Sequence, residues 1–316
     1  MKSTKPIYSY LFFLIAVFTF TGINSCKNSN ATESNRSIVP NHINSTQKRT
    51  VSEAAKKYWF DGKAEISSYQ LNQIRYGEIH KGTAALIFVT EPFSKESNTK
   101  ADYDNDKNIP VLKLNTTKKF NTGIYPYSMM NSTFFPFESE SSSIKIASSM
   151  QEWCGMTFIE MKNKGDFLFS FNSYFEGNSF KDKKITKAIL EDDLWSLIRL
   201  NPELLPAGKQ RIIPGMFYLN LMHKDFKSYE TVITSTINED NTIYNITYPE
   251  LNRTLSIQYK TEFPHNILSW KETYISGYGT NKKTLTTEAT LINSIKVDYW
   301  NKNQNKDSYL RNTLGL

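Results

Sequence analysis

The chain has 316 residues, with 38 Lys and Arg against 31 Asp and Glu and a net charge of +7. That excess is modest for the length, and no Lys/Arg stripe interleaves with aromatics, which argues against a nucleic-acid binder. Two cysteines and four histidines supply no zinc-type cluster, and no cofactor is implied.

Lys2 and Lys5 precede an uncharged run from Ile7 to Phe20. Its 14 residues fall short of the about 20 that a membrane-spanning helix needs. They suit the apolar middle of a secretory signal peptide. Gly22-Ile23-Asn24-Ser25-Cys26 follows and resembles a bacterial lipobox, with Asn24 a less usual residue at its position. A signal peptide over 1–25 is therefore expected, with Cys26 lipidated and first in the mature chain. A plain secretory signal with Cys26 incidental and an uncleaved anchor are the alternatives. Several acyl chains would hold firmly, since each buried methylene contributes about 0.8 kcal/mol. Cleavage leaves 291 residues and, without Lys2 and Lys5, a net charge of +5. Cys154 is then without an intrachain disulfide partner. Residues 26–52 are polar and read as a disordered tether; His42 falls within it. A β-rich domain is expected over 53–316.

Lys63–Leu71, Ile74–Ile79 and Thr83–Thr90 read as extended, with Lys81-Gly82 as the turn of an Ile74–Thr90 hairpin. Pro92 to Asn108 is charged and reads as an exposed loop. Val111–Leu114 is a strand, and Tyr125–Phe137 an aromatic one with prolines near its ends. Ser139–Ser143 turns. Ile144–Met150, Trp153–Met161 and Phe167–Phe175 follow, the last two joined by Lys164-Gly165-Asp166. Ile185, Ile189, Leu194, Leu197 and Ile198 recur near the helical period, with Trp195 beside them and Asn201-Pro202 as the stop. Pro206-Ala207-Gly208 and Pro214-Gly215 punctuate the next connection, so a sub-boundary is expected near 202–215. Ser228–Ile237, Ile243–Tyr248, Arg253–Lys260, Ile267–Ser276 and Thr284–Trp300 supply the remaining strands. Short connections favour antiparallel neighbours. The fold class expected is mainly β with one main helix: an antiparallel meander, a curved sheet or half-barrel wrapping that helix. Two packed β subdomains form the competing layout.

No catalytic residue and no metal site stands out. Glu152 and Cys154 would share a strand face, but a nucleophilic thiol needs a base, and Cys154 reads as a small hydrophobe. Glu191-Asp192-Asp193 reads as a solvated helix face rather than an acid/base pair. Asp102, Asp104 and Asp106 alternate without the rest of a calcium loop. Tyr248–Arg253 reads as a strand-ending turn with local salt links. His80, His223 and His265 are scattered. Trp195, Arg75 and Glu78 remain as candidate ligand-binding residues, although Arg75 and Glu78 on one hairpin also suit a cross-strand or solvated pair.

YWFDGKAEI (58–66), RYGEI (75–79), IPVLKLN (109–115), KKFNTGIYPYS (118–128), SMQEWCG (149–155), SYFEG (173–177) and YPELNRTL (248–255) together resemble an uncharacterised lipoprotein family of Bacteroidetes-type bacteria. Its members often carry the label "septum formation inhibitor Maf". Maf proteins proper are cytoplasmic nucleotide pyrophosphatases that open with Ser-x-Ser-Pro-Arg-Arg, a motif this chain does not have. The resemblance implies an outer-membrane, lipid-anchored protein and supplies no catalytic residues. Cys26 is followed by Lys27-Asn28-Ser29 rather than by a Lys-plus-acidic export signal, which favours the periplasmic side. The function expected is an envelope lipoprotein, not an enzyme, that binds an apolar ligand or an extended partner segment. The alternative is a structural or assembly lipoprotein that docks on another envelope protein. Replacing Cys26 by Ser is expected to abolish acylation and to move the protein out of the membrane fraction, read by metabolic labelling with an alkynyl fatty acid.

Overall fold

The computed structural model describes residues 49–103, 105–138 and 142–316. Cys26, the expected signal peptide and His42 lie outside them. Nine strands come first: β1 (Ala64–Arg75), β2 (Glu78–Ser94), β3 (Thr99–Lys100), β4 (Asn108–Thr122), β5 (Tyr125–Pro136), β6 (Lys145–Glu152), β7 (Gly155–Lys164), β8 (Asp166–Ser173) and β9 (Phe180–Ile185). Seven follow: β10 (Ile189–Leu190), β11 (Gly208–Ile213), β12 (Tyr229–Asn238), β13 (Asn241–Tyr248), β14 (Arg253–Lys260), β15 (Ile267–Ser276) and β16 (Lys283–Val297). Four α-helices are described where one main helix was expected: α1 (Glu53–Trp59), α2 (Glu191–Leu200), α3 (Met216–Leu221) and α4 (Tyr309–Leu314). Three of them have seven residues or fewer, too short to show a hydrophobic period of their own. No helix among the described residues is long and apolar enough to cross a membrane.

All sixteen strands belong to one open sheet. Its order is β10-β11-β12-β13-β14-β15-β16-β1-β2-β4-β5-β6-β7-β8-β9, with β3 paired to β2. Every pairing is antiparallel except β10 with β11. The two-subdomain layout is replaced by this single sheet, because β16 pairs with β1 from Val297↔Ala64 to Glu288↔Asn72 and joins the last strand to the first. The edge strands β9 and β10 are separated by three residues in the chain. Consecutive Cα atoms are 3.8 Å apart, so the two edges lie within roughly 15 Å of each other. Exposed cations, Lys181, Lys183 and Lys184 on β9 and Lys209 and Arg211 on the part of β11 that two-residue β10 leaves uncovered, oppose edge-to-edge pairing.

The first hairpin turns at Tyr76-Gly77, not at Lys81-Gly82. Tyr76 and Gly77 have φ of 54° and 80°, the left-handed pair that a two-residue hairpin turn demands. Gly82 instead lies inside β2. A Cβ there would come 2.1 Å from the Lys119 carbonyl oxygen, so the glycine lets β4 approach. The expected loop from Pro92 is also shortened, since β2 runs on to Ser94 and pairs there with both β3 and β4. Ile185 closes β9, and the helix begins six residues later; Ile185 matched the helical period by coincidence.

One core cluster joins Trp59, Tyr69, Phe88, Leu194, Ile198 and Trp270. A second gathers Phe167, Phe169, Met216, Leu219 and Phe226. The chain is already packed ahead of α1: Arg49 and Val51 are buried, and Ser52 caps the Ala55 amide at 3.2 Å. At its C-terminal end α2 is tied to β1. Arg199 donates to both Glu65 carboxylate oxygens, at 2.5 and 2.7 Å, and its third nitrogen donates to the Pro264 carbonyl at 2.9 Å. The Tyr58 hydroxyl donates to the same carboxylate. Burial opposes ionisation of Glu65, but Arg199 and Tyr58 together hold its carboxyl below the usual range. Removing one partner would strand a charge away from water. Glu65→Leu is therefore expected to cost about 3–5 kcal/mol in denaturant unfolding, and Glu65→Leu with Arg199→Met to recover most of it.

Candidate functional site

Two places gather chemistry: the N-terminal end of α2, and the hairpin tips at one end of the sheet.

Glu191, Asp192 and Asp193 are buried, with 4%, 9% and 6% of their surface exposed. This overturns the solvated-face reading. Each acid has a partner distant in sequence. Glu191 accepts two bonds from Arg253 on β14, at 2.5 and 2.7 Å, and one from the Tyr248 hydroxyl at 2.5 Å. Arg253 spends its remaining nitrogen on Glu272 of β15 at 2.7 Å. It therefore points inward, and the salt links of 248–253 are not local ones: Glu250 meets Lys227, 23 residues away, at 2.8 Å. Asp192 accepts from Asn131 of β5 at 3.2 Å and from the Met216 amide of α3 at 3.0 Å. Asp193 accepts the Ser143 amide at 3.0 Å.

A cavity of about 50 Å³ lies among Lys118, Asn131, Asp192, Trp195, Arg253 and Glu272. It has room for a water molecule and little more. Trp195, the candidate on the helix, is half-buried and meets Trp270 edge-on at 5.4 Å. Lys118 is buried, donates to Gln73 at 3.2 Å, and burial lowers its pKa. Burial, then the charge of Glu191, pushes Asp192 up to about 8. Burial likewise pushes Asp193 up to about 6. The Asn131 carbonyl oxygen has no partner. Rotating that amide by 180° would let it accept the proton of a neutral Asp192, an assignment that hydrogen-bond logic favours.

At the other place, five turns bring aromatic side chains to one end of the sheet. They join β1 to β2, β4 to β5, β6 to β7, β8 to β9 and β15 to β16. The Gly77 amide donates to Ser276 at 3.1 Å, and the Tyr174 amide to the Met156 carbonyl at 3.2 Å, so neighbouring tips touch. Tyr76 lies 6.4 Å from Tyr278, ring to ring. The Tyr125 hydroxyl donates to that of Tyr76 at 3.3 Å, and the Tyr125 ring lies 6.4 Å from Trp153. Tyr174 rests on Gly155, where a Cβ would stand 2.9 Å from it, and meets Phe175 at 5.7 Å. Trp153, Tyr174 and Tyr278 are 69%, 74% and 66% exposed. Ile124 and Met156 add exposed apolar surface.

Of the remaining candidates, Arg75 joins this rim and Glu78 does not pair with it. The Arg75 guanidinium lies 4.4 Å over the Tyr76 ring and donates to Tyr127 at 3.3 Å and to the Leu221 carbonyl at 2.5 Å. Glu78, its cross-strand neighbour in the register, is exposed. Cys154 is exposed rather than buried. Its amide donates to Glu152 at 2.7 Å, and a hydrogen bond with that side chain pushes the thiol up, the opposite of activation. Asp102 and Asp106 are exposed, and Asp104 is outside the described residues. Among the described residues, no three His, Cys, Asp or Glu side chains are placed to hold a metal.

Comparison with protein-family models, with curated proteins and with solved structures finds no match.

Asp192 sets a pH dependence. An unfolded aspartate ionises near 3.8, while Asp192 in the fold ionises near 8. Between those values the folded chain holds a proton that the unfolded chain has lost, so its contribution to stability falls as pH rises. Asp192→Asn preserves the shape and removes the charge. It is expected to raise the melting temperature at pH 8 by at least about 2 °C, with the gain shrinking toward zero near pH 4, by calorimetry across that range.

Proposed function

We propose that the chain is a lipid-anchored envelope protein whose β domain docks on another envelope protein through the aromatic rim. The row Tyr278, Tyr76, Tyr125, Trp153 and Tyr174, exposed except for the half-buried Tyr125, carries this reading. Trp153, Tyr174 and Tyr278 stand clear of the core, and contiguous apolar surface on a folded protein marks an interaction site. Trp and Tyr are also the residues most often found at the energetic centre of protein interfaces.

We take the sheet to be a half-barrel closing round α2, a reading supported by the nearness of its two edges and by the ties from α2 to β1, β5 and β14. On that reading the concave face is filled. The space beside α2 is about 50 Å³ and charged at its walls, whereas pockets for apolar ligands measure about 300–1,000 Å³. An apolar ligand held inside therefore finds less support than docking at the perimeter.

The orientation follows from the two ends. Arg49 donates to the carbonyls of Pro136 and Phe137, at the far end of β5 from Tyr125. Twelve strand residues place that point about 36 Å from the rim. Cys26, where the lipid is expected, precedes Arg49 by 23 residues in the chain. The rim is thus presented away from the bilayer. Glu78, Glu152 and Glu176 beside the tips also suit a protein partner better than an anionic lipid surface.

A photo-crosslinking residue placed at Trp153, Tyr174 or Tyr278 in living cells is expected to give one shared protein adduct. The same residue at Glu239 or Glu262, in turns at the opposite end, is expected to give none. Trp153→Ser with Tyr174→Ser should lower the Tyr278 adduct at least tenfold while leaving the melting temperature unchanged. Equal adducts at both ends, or adducts to lipid alone, would refute docking at the rim.

A further inference from the structure

The sheet has a second face, and its centre is covered by the C-terminal segment. The Ser68 hydroxyl donates to the Leu314 carbonyl, and the Asn293 side chain to the Thr313 carbonyl at 2.9 Å, so α4 is tied to β1 and β16. The cover is incomplete. A groove of about 480 Å³ remains beneath it, inside the size range of ligand pockets. Ile66, Ile87 and Ile295 line it from the strands, and Leu310 and Leu314 from α4. Outward isoleucines on three adjacent strands, β16, β1 and β2, are paired directly in the register, Ile295↔Ile66↔Ile87. They form a continuous apolar strip.

The charged side chains of the groove are Lys119, Lys302, Arg311 and Asp307. Asp307 is engaged in a capping box and accepts the Gln304 amide at 3.1 Å. Lys302 reaches Asp298 only at 3.9 Å. Among the described residues, neither Lys119 nor Arg311 has a carboxylate within 4 Å. The apolar strip thus shares the groove with two cations, Lys119 and Arg311, that no side-chain carboxylate answers.

We infer that this groove binds a single-chain amphiphile with an anionic head, of the class of the long-chain carboxylates. The hydrocarbon lies along the three isoleucines, which removes apolar surface from water. The head meets Lys119 and Arg311, which form charge-assisted hydrogen bonds to a carboxylate. A neutral amphiphile of the same length would leave both cations unanswered. The site lies on the face opposite α2 and is independent of docking at the rim.

The test uses the full chain in phosphatidylcholine nanodiscs with palmitate that carries a photoactivatable diazirine. Adducts mapped by mass spectrometry are expected on peptides containing Ile87, Ile295 or Leu310. Unlabelled palmitate should compete at least tenfold better than hexadecanol. Lys119→Glu with Arg311→Glu should lower labelling at least tenfold; both side chains are exposed, so the melting temperature should hold. Adducts spread over the surface, or equal competition by acid and alcohol in the wild-type chain, would overturn the assignment without reference to any variant.

Discussion

Helix α2 is fixed at both ends by buried charge. Glu191 at its start grips Arg253 of β14, and Arg199 one residue from its end grips Glu65 of β1. The two stand eight positions apart, about 12 Å along a helix. Each pair is doubly hydrogen-bonded and carries further donors, Tyr248 on one and Tyr58 on the other. Burying four charges costs free energy that their attraction recovers only with such complete pairing. The return is positional. A shift of α2 by one turn, or of β1 against β14, would strand charges at both ends together. Helix position and strand arrangement therefore specify one another.

Much of the sheet was legible because burial alternates where the strand has one wet face. β14 reads Arg253-Thr-Leu-Ser-Ile-Gln-Tyr-Lys260 and alternates buried with half-buried throughout. Its bounds coincide with the sequence reading, as do those of β15. The site at α2 was not legible. Three acids in a row look solvated, and what neutralises them lies far along the chain: Arg253 is 62 residues from Glu191, Asn131 is 61 from Asp192, and Ser143 is 50 from Asp193. Only the completed sheet brings them within reach. Trp195 was singled out on the same helix, yet it packs on Trp270 beside a space too small for a ligand.

The rim carried a signal that turn-reading passes over. Glycines mark turns because they accept positive φ, and attention stops at the glycine. Here the neighbours are aromatic at every tip: Tyr76-Gly77, Gly123-Ile124-Tyr125, Trp153-Cys154-Gly155, Tyr174-Phe175-Glu176-Gly177 and Gly277-Tyr278-Gly279. One such pair would be unremarkable, since single exposed apolar residues are common. Five at one end of one sheet are not, because a meander places alternate turns at the same end. That periodicity could have been deduced from strand count alone had the Tyr76-Gly77 turn been placed correctly.

These features divide the molecule by solvent access. The α2 face is closed by ion pairs that are worth little unless water is kept out, because the attraction between charges weakens steeply as the dielectric rises. A ligand large enough to be useful there would have to displace α2, leaving Glu65 without Arg199 and Arg253 without Glu191. The energetic barrier to opening is thus set by the same pairs that specify the fold. The two surfaces proposed for recognition can be occupied without touching them. The rim lies beyond the strand ends, and the groove under α4 lies on the other face of the sheet from the charge network. Either surface can evolve, or be altered, without disturbing the pairing that positions both.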